Sequence, residues 1–217
     1  EIVGPMGFTD MDKEGMLVEG FEEDCTMATY YNPSYYPQII EKLSYKKEVD
    51  WIQYRIKANQ EVPEKILRIN NLIKEKYNLK IVEGLSAKQI AKRYGHKLFN
   101  TLNEAFSDLF GYVPLNEKQA QFYIDMYFPF LDKRLLCLIV DENDDIAAFG
   151  VSMPSLTEAL RKSKGKLFPF GWYHLLKAIR NFENIDLYFN GVHPKWQNKG
   201  IHSIYYAEMN KQYINLG

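Results

Sequence analysis

Two apolar runs, "LLCLIVD" and "IAAFGVSM", flank the polar "ENDD" between residues 135 and 153. Neither run alternates apolar with polar residues, so a strand built from either one carries apolar side chains on both faces. The short polar joint makes the pair a hairpin. A hairpin that is apolar on both sides has to be covered on both sides. With the order of the other elements, strand, helix, helix, strand, strand, helical insert, strand, helix, this predicts a mixed central sheet flanked by helices, an α/β (α+β) class.

The rest of the chain offers the cover. "LKIVEGL" reads as a strand, and Ser86 with Gln89 forms a capping box that opens a helix with Ile90, Tyr94, Leu98, Leu102 and Phe106 on one face. Asn116 with Gln119 opens a second helix that carries Tyr123, Ile124 and Tyr127. After the hairpin, Ser155 with Glu158 is expected to cap a short helix. The loop "SKGKLFPFG" and a helical piece, "WYHLLKAIRNF", follow. "IDLYFNGV" is then a strand, and the chain closes in a helix with Ile201, Ile204, Tyr205, Met209 and Tyr213 inward. Upstream, residues 58–78 read as a charged connector helix with Ile66, Ile69, Leu72 and Ile73 on one face. Residues 1–57 are aromatic and Gly-rich, with a short helix begun by Pro37 and an alternating strand, "DWIQYRI". The tyrosines Tyr30, Tyr31, Tyr35, Tyr36 and Tyr45 are expected to pack with hydrogen-bonded hydroxyls at a strand end.

Composition narrows the function classes. The chain has 27 basic and 28 acidic residues and a formal net charge of −1, without the basic surface that phosphate-backbone binding uses, so no nucleic-acid partner is expected. No apolar run approaches the roughly 18 residues needed to span a bilayer, and no charged-then-apolar leader opens the chain. A cytoplasmic protein with no membrane partner is the expectation. Cys25 and Cys137 are far apart, which suggests neither a disulfide framework nor a zinc site. His96, His174, His193 and His202 show no metal-binding spacing on a helix, so no metal is expected. "GVSMPS" departs from a nucleophile elbow, and no Gly-rich nucleotide cradle is present.

What remains is "GVHPKWQNKGIH", residues 191–202, between the last strand and the last helix. The first amides of a helix lack internal partners and sit at the positive end of its dipole, so a phosphate is stabilised there. Gly200 supplies close approach without a side chain, and Lys195 and Lys199 add attraction. On loop chemistry alone a tight turn explains Gly200 equally well.

Val192, Pro194, Gln197 and Gly200 resemble the acyl-CoA-binding motif of the GNAT N-acetyltransferase superfamily: a strand ending V-x-P, then Q/R-x-x-G-x-G/A opening a helix. His202 stands where that motif prefers Gly or Ala. The element order from residue 79 is also similar to that of a GNAT domain. The resemblance covers residues 79–217, read as the first part of a second domain that is incomplete at its C-terminus. Residues 1–57 resemble the closing part of a first domain, with Ser44 for a usual Gly and Ile40 about where many members carry a Tyr acid. Residues 58–78 connect them, and the two parts are expected to share one core, as in a fragment of a tandem protein.

The resemblance implies an acyl-CoA-dependent N-acyltransferase that moves an acetyl or other acyl group to a primary amine, on a small molecule or a peptide. Acetyl-CoA or another acyl-CoA would lie against Asn190, Gly191 and Val192 and against the loop Gln197, Asn198, Lys199, Gly200, Ile201 and His202. His193 is the candidate base, with a surface histidine as the plainer alternative. Tyr205 and Tyr206 are candidate donors to the thiolate, with packing as the plainer alternative. Phe168, Phe170 and Trp172 either close over a substrate or anchor the insertion. A non-catalytic GNAT-like binding or assembly domain and an aminoacyl-transferring relative stay open, as does a homodimer.

Overall fold

A computed structural model describes residues 2–58 and 61–216. The chain divides into two compact units: Glu1–Arg55 with Phe110–Val113 and Pro154–Asp186, and Ile56–Leu109 with Pro114–Met153 and Leu187–Gly217. Its helices and strands in chain order are α1 Tyr36–Lys42, α2 Glu64–Lys76, β1 Lys80–Ile81, α3 Ala87–Phe106, α4 Glu117–Tyr127, β2 Leu136–Val140, β3 Ile146–Pro154, α5 Thr157–Ser163, α6 Gly171–Arg180, β4 Ile185–Val192 and α7 His202–Leu216. The class expected from the hairpin is the class found, and from β1 onward the order of elements matches the sequence reading.

The sheet runs β1-β2-β3-β4, with β1 antiparallel to β2 and β2 antiparallel to β3. β2 and β3 are buried almost throughout, as an apolar-on-both-faces hairpin requires. Cys137 pairs with Gly150 and Ile139 with Ala148, and these side chains point toward α7, whose Ile204, Tyr205 and Met209 complete the core. A Cβ at position 150 would lie 2.3 Å from the Met209 sulfur, so glycine there is what allows α7 to lie directly on β3. The register slips between Ile139 and Val140, which pairs Val140 with Ile146 and leaves Ala147 as the extra residue of a bulge.

Both capping boxes form as expected, at Ser86 with Gln89 and at Asn116 with Gln119. α3 is clamped to the β2–β3 turn. The Tyr94 hydroxyl donates to Asp144 Oδ1 at 2.6 Å, Arg93 Nε donates to Asp144 Oδ2 at 3.0 Å, and Lys97 Nζ donates to the Asp144 carbonyl at 2.6 Å. Burial and the hydrogen bond to Asp144 push the Tyr94 hydroxyl up to about 12.

Several local expectations are corrected. "LKIVEGL" is a strand only at Lys80 and Ile81. Residues 51–56 form no strand, and Ile52 and Tyr54 are exposed, because no partner strand meets their backbone. Ser155 is not the cap of α5: its hydroxyl donates to Thr157 Oγ1 and the cap position falls on Leu156. α2 does not bury its Ile66, Ile69 and Leu72 stripe. It buries Asn70, whose side-chain amide donates to the Ser203 carbonyl at 3.1 Å on α7 and whose Oδ1 accepts from the Ser203 hydroxyl. Ile73 of the same helix packs against the core cluster beside this hydrogen-bonded pair. The tyrosines of residues 30–45 are exposed, with the Tyr31 hydroxyl donating to the Phe21 carbonyl at 2.9 Å.

The smaller unit is held mainly by polar pins. Asn32 is buried and accepts from the Leu17 amide at 2.7 Å while donating to the Leu17 and Pro33 carbonyls. Arg161 of α5 pairs with Asp24 at 2.6 Å, and Thr157 donates to the Cys25 carbonyl at 3.2 Å.

Candidate functional site

The site lies in the larger unit, where β4 ends, turns through residues 193–201 and starts α7. β4 is an edge of the sheet, so the backbone of Asn190, Gly191 and Val192 has one side without a neighbouring strand among the described residues. The bulge at Ala147 sets the position of the next residue: the His193 amide donates to the Ala147 carbonyl at 3.0 Å.

The His193 side chain is held at both ring nitrogens. Nδ1 accepts from the Lys195 amide at 3.1 Å, and Nε2 lies 2.9 Å from Glu104 Oε2 on α3. A backbone amide can only donate, so Nδ1 carries the lone pair and Nε2 the proton that Glu104 accepts. The imidazole is therefore fixed in one tautomer, with its basic nitrogen facing the loop.

Trp196 is buried and anchors the turn, edge-on to Tyr77 with ring centroids 5.7 Å apart. The Lys195 and Lys199 ammonium groups lie 4.9 and 4.7 Å from the Trp196 ring centre. Lys195 also reaches Asp141 Oδ2 at 3.4 Å, and Lys199 donates to the Lys195 carbonyl at 2.7 Å. Asp141 is itself buried, its Oδ1 accepting from the Asn143 and Asp145 amides of the β2–β3 turn. Both lysine charges are thus held close to the loop. Gln197 donates from Nε2 to the Val192 carbonyl at 3.2 Å and ties the loop to the strand end.

Gly200 has φ +77, and a Cβ there would meet Ile73 Cδ1 at 3.0 Å. Asn198 also adopts a left-handed φ of 60. The amides of Asn198, Lys199, Gly200, Ile201 and His202 donate to no backbone carbonyl among the described residues, and the first to do so is that of Ser203, to the Gly200 carbonyl at 3.1 Å. A run of unpartnered amides at the head of a fifteen-residue helix has the donors and the dipole that a diphosphate needs. His202 is exposed.

Tyr205 is buried, and its hydroxyl donates to Asn190 Oδ1 at 3.0 Å. Burial, reinforced by Tyr206, raises its pKa far above the ordinary phenol value. Its hydrogen bond makes Tyr205 a brace between α7 and β4. Tyr206 is half exposed, with its ring centre 4.4 Å from that of Tyr205. Burial pushes the Cys137 thiol up to about 12, so no thiolate is on hand for a covalent route.

The chain is similar to a bacterial ceramide synthase. The relative so named, from Caulobacter vibrioides, is 26% identical over 201 residues, which cover 90% of this chain and 50% of the relative. Protein YghO of Escherichia coli is also 26% identical, over 195 residues covering 83% of this chain and 45% of that protein. The chain spans about half the length of the curated relatives it matches. No protein-family profile matches it. Among the described residues, no group of His, Cys, Asp and Glu could hold a metal ion, and no helix is long and apolar enough to cross a membrane.

Sequence reasoning missed Glu104, Asp141 and Asn70, which steady the site from α3, the β2–β3 turn and α2. Each lies outside the motif and next to it only in the fold. It also missed Asp186 of the smaller unit. Burial raises that carboxyl, with a side-chain hydrogen bond to Ser155 opposing, and its Oδ2 is enclosed without a partner among the described residues.

Proposed function

We propose that this chain carries the acyl-CoA-binding part of an N-acyltransferase whose acceptor is the primary amine of a long-chain amino alcohol. The observation that carries the reading is the run of unpartnered amides from Asn198 to His202, opened by the left-handed Asn198 and Gly200 at the end of an edge strand. The relative's name supports the choice of acceptor, since a ceramide is the N-acyl amide of such an amino alcohol.

In this reading the loop amides hold the diphosphate, Lys195 and Lys199 offset its charge, and the free side of Asn190, Gly191 and Val192 pairs with the amide-bearing arm as an added strand would. The bound thioester supplies an activated acyl carbonyl. His193 takes the acceptor amine's proton at Nδ1 once the Lys195 amide is released, and Glu104 steadies the resulting cation through Nε2, by the logic of a carboxylate–histidine pair. Tyr206 returns a proton to the departing sulfur.

The test is to incubate the chain with palmitoyl-CoA and sphinganine and to follow the N-acyl product by mass spectrometry. Product formation that is lost in His193→Ala supports the reading. Transfer to short polar amines but not to sphinganine overturns the acceptor, and no transfer to any amine overturns the reading.

A further inference from the structure

The smaller unit carries a surface that loop chemistry at the β4–α7 turn does not explain. A surface helix ordinarily turns its apolar stripe inward. α6 leaves part of it outward: Trp172, Leu176 and Ile179, at i, i+4 and i+7, are exposed, while His174, Leu175 and Ala178 on the other side are half-buried. The loop before it adds Leu167, Phe168 and Phe170, with Phe168 74% exposed and Phe170 69% exposed. The Trp172 indole N–H is satisfied internally by the Pro169 carbonyl at 2.9 Å, so the ring has no polar need for water at that atom.

The charge around this patch is as one-sided as its apolar content. A chain of net charge −1 places six basic side chains and a single acidic one in residues 157–180. The acid, Glu158, is paired with Lys162, and Arg161 with Asp24. Lys164, Lys166, Lys177 and Arg180 make no ion pair among the described residues, and all four are exposed. Lys164 and Lys166 precede the apolar loop, and Lys177 and Arg180 border one side of the helix stripe. An aromatic and aliphatic patch rimmed by free cations matches a surface that is negative at its headgroups and apolar beneath them.

We infer that the α5–α6 segment, residues 157–180, is an interfacial element that docks this chain on an anionic phospholipid bilayer. Loop residues Phe168 and Phe170 and helix residues Trp172, Leu176 and Ile179 enter the acyl boundary, and the four free cations meet the phosphates. The chain lies on the surface without spanning it. This inference rests on the smaller unit alone and stands whether or not the acyl-transfer reading holds.

The experiment is co-sedimentation of the full chain with vesicles of equal parts phosphatidylglycerol and phosphatidylcholine, and with vesicles of phosphatidylcholine alone. Trp172 emission is read against a Trp172→Phe control. The expected result is binding to the anionic vesicles only, weakened by salt, with a blue shift that the control lacks. Lys164→Glu with Lys166→Glu should reduce partitioning by about tenfold or more, and Phe168→Ser with Phe170→Ser should reduce it comparably. These exposed positions leave the fold intact, which circular dichroism verifies. No sedimentation, sedimentation unchanged in both double variants, or an oligomer that the Phe variant converts to monomer would overturn the inference, the last by making a second copy the occupant.

Discussion

Glu104, near the end of α3, and His193, one residue past β4, meet at 2.9 Å across the larger unit and fix the imidazole tautomer that the loop sees. The partners lie 89 residues apart in a chain whose motif contains only the second of them. In Glu104→Leu, long-range nitrogen–proton correlation spectra should change from a single Nε2–H tautomer to a mixture. N-acyl transfer should fall by about tenfold or more. Stability should change by no more than about 1 kcal/mol, because the Glu104 carboxylate is mostly exposed and such pairs contribute little to folding. Unchanged tautomer populations would remove Glu104 from the site.

Gly200→Ala tests the turn itself. Its φ of +77 and the 3.0 Å approach to Ile73 Cδ1 both oppose a side chain. Urea unfolding should show a loss of about 1–2 kcal/mol, the cost of the left-handed conformation for an L-residue. A loss near zero would mean that the loop relaxes into another conformation and that its amides are not preorganised.

Asp186 gives a pH signature. Burial raises its folded pKa above that of the unfolded chain, with the Ser155 hydrogen bond opposing. The native state therefore favours the protonated acid, and this contribution to stability is complete below the unfolded carboxyl range, near pH 4, and lost as pH rises through the folded value. Asp186→Asn should raise the urea midpoint at pH 7, and the gain should shrink as pH is lowered toward that range. A variant less stable than the parent at pH 7 would show that the carboxylate has a charge partner in solution.

Where local chemistry decides structure, the sequence reading and the fold agree. Both capping boxes form because each pairs a side chain with an amide three residues away, and the β2–β3 hairpin forms because its residues have no exposed face to offer. Position 200 was legible for the same reason: glycine before a helix start marks a left-handed turn. Agreement stops where a partner from elsewhere decides. "DWIQYRI" alternates like a strand but finds no strand to pair with. α2 has an apolar stripe, yet buries Asn70 because Ser203 offers both a carbonyl and a hydroxyl to it. Glu104 and Asp141 carry no local signal, and only tertiary contact makes them supports of the His193–Lys195 turn. "WYHLLKAIRNF" reads as a helical piece, and a helical repeat says which residues share a face and nothing about what that face meets.

The central claim is that the amides of Asn198 to His202 receive an acyl-CoA diphosphate, and calorimetric titration of the chain with palmitoyl-CoA below its micellar range, and with free CoA, tests it most directly. Saturable heat with both ligands, weakened about tenfold or more in a His202→Pro variant that removes one donor at the first helical position, where proline is tolerated, while circular dichroism stays unchanged, is the predicted result. No heat with free CoA at millimolar concentration, or equal binding by the variant, would contradict the claim.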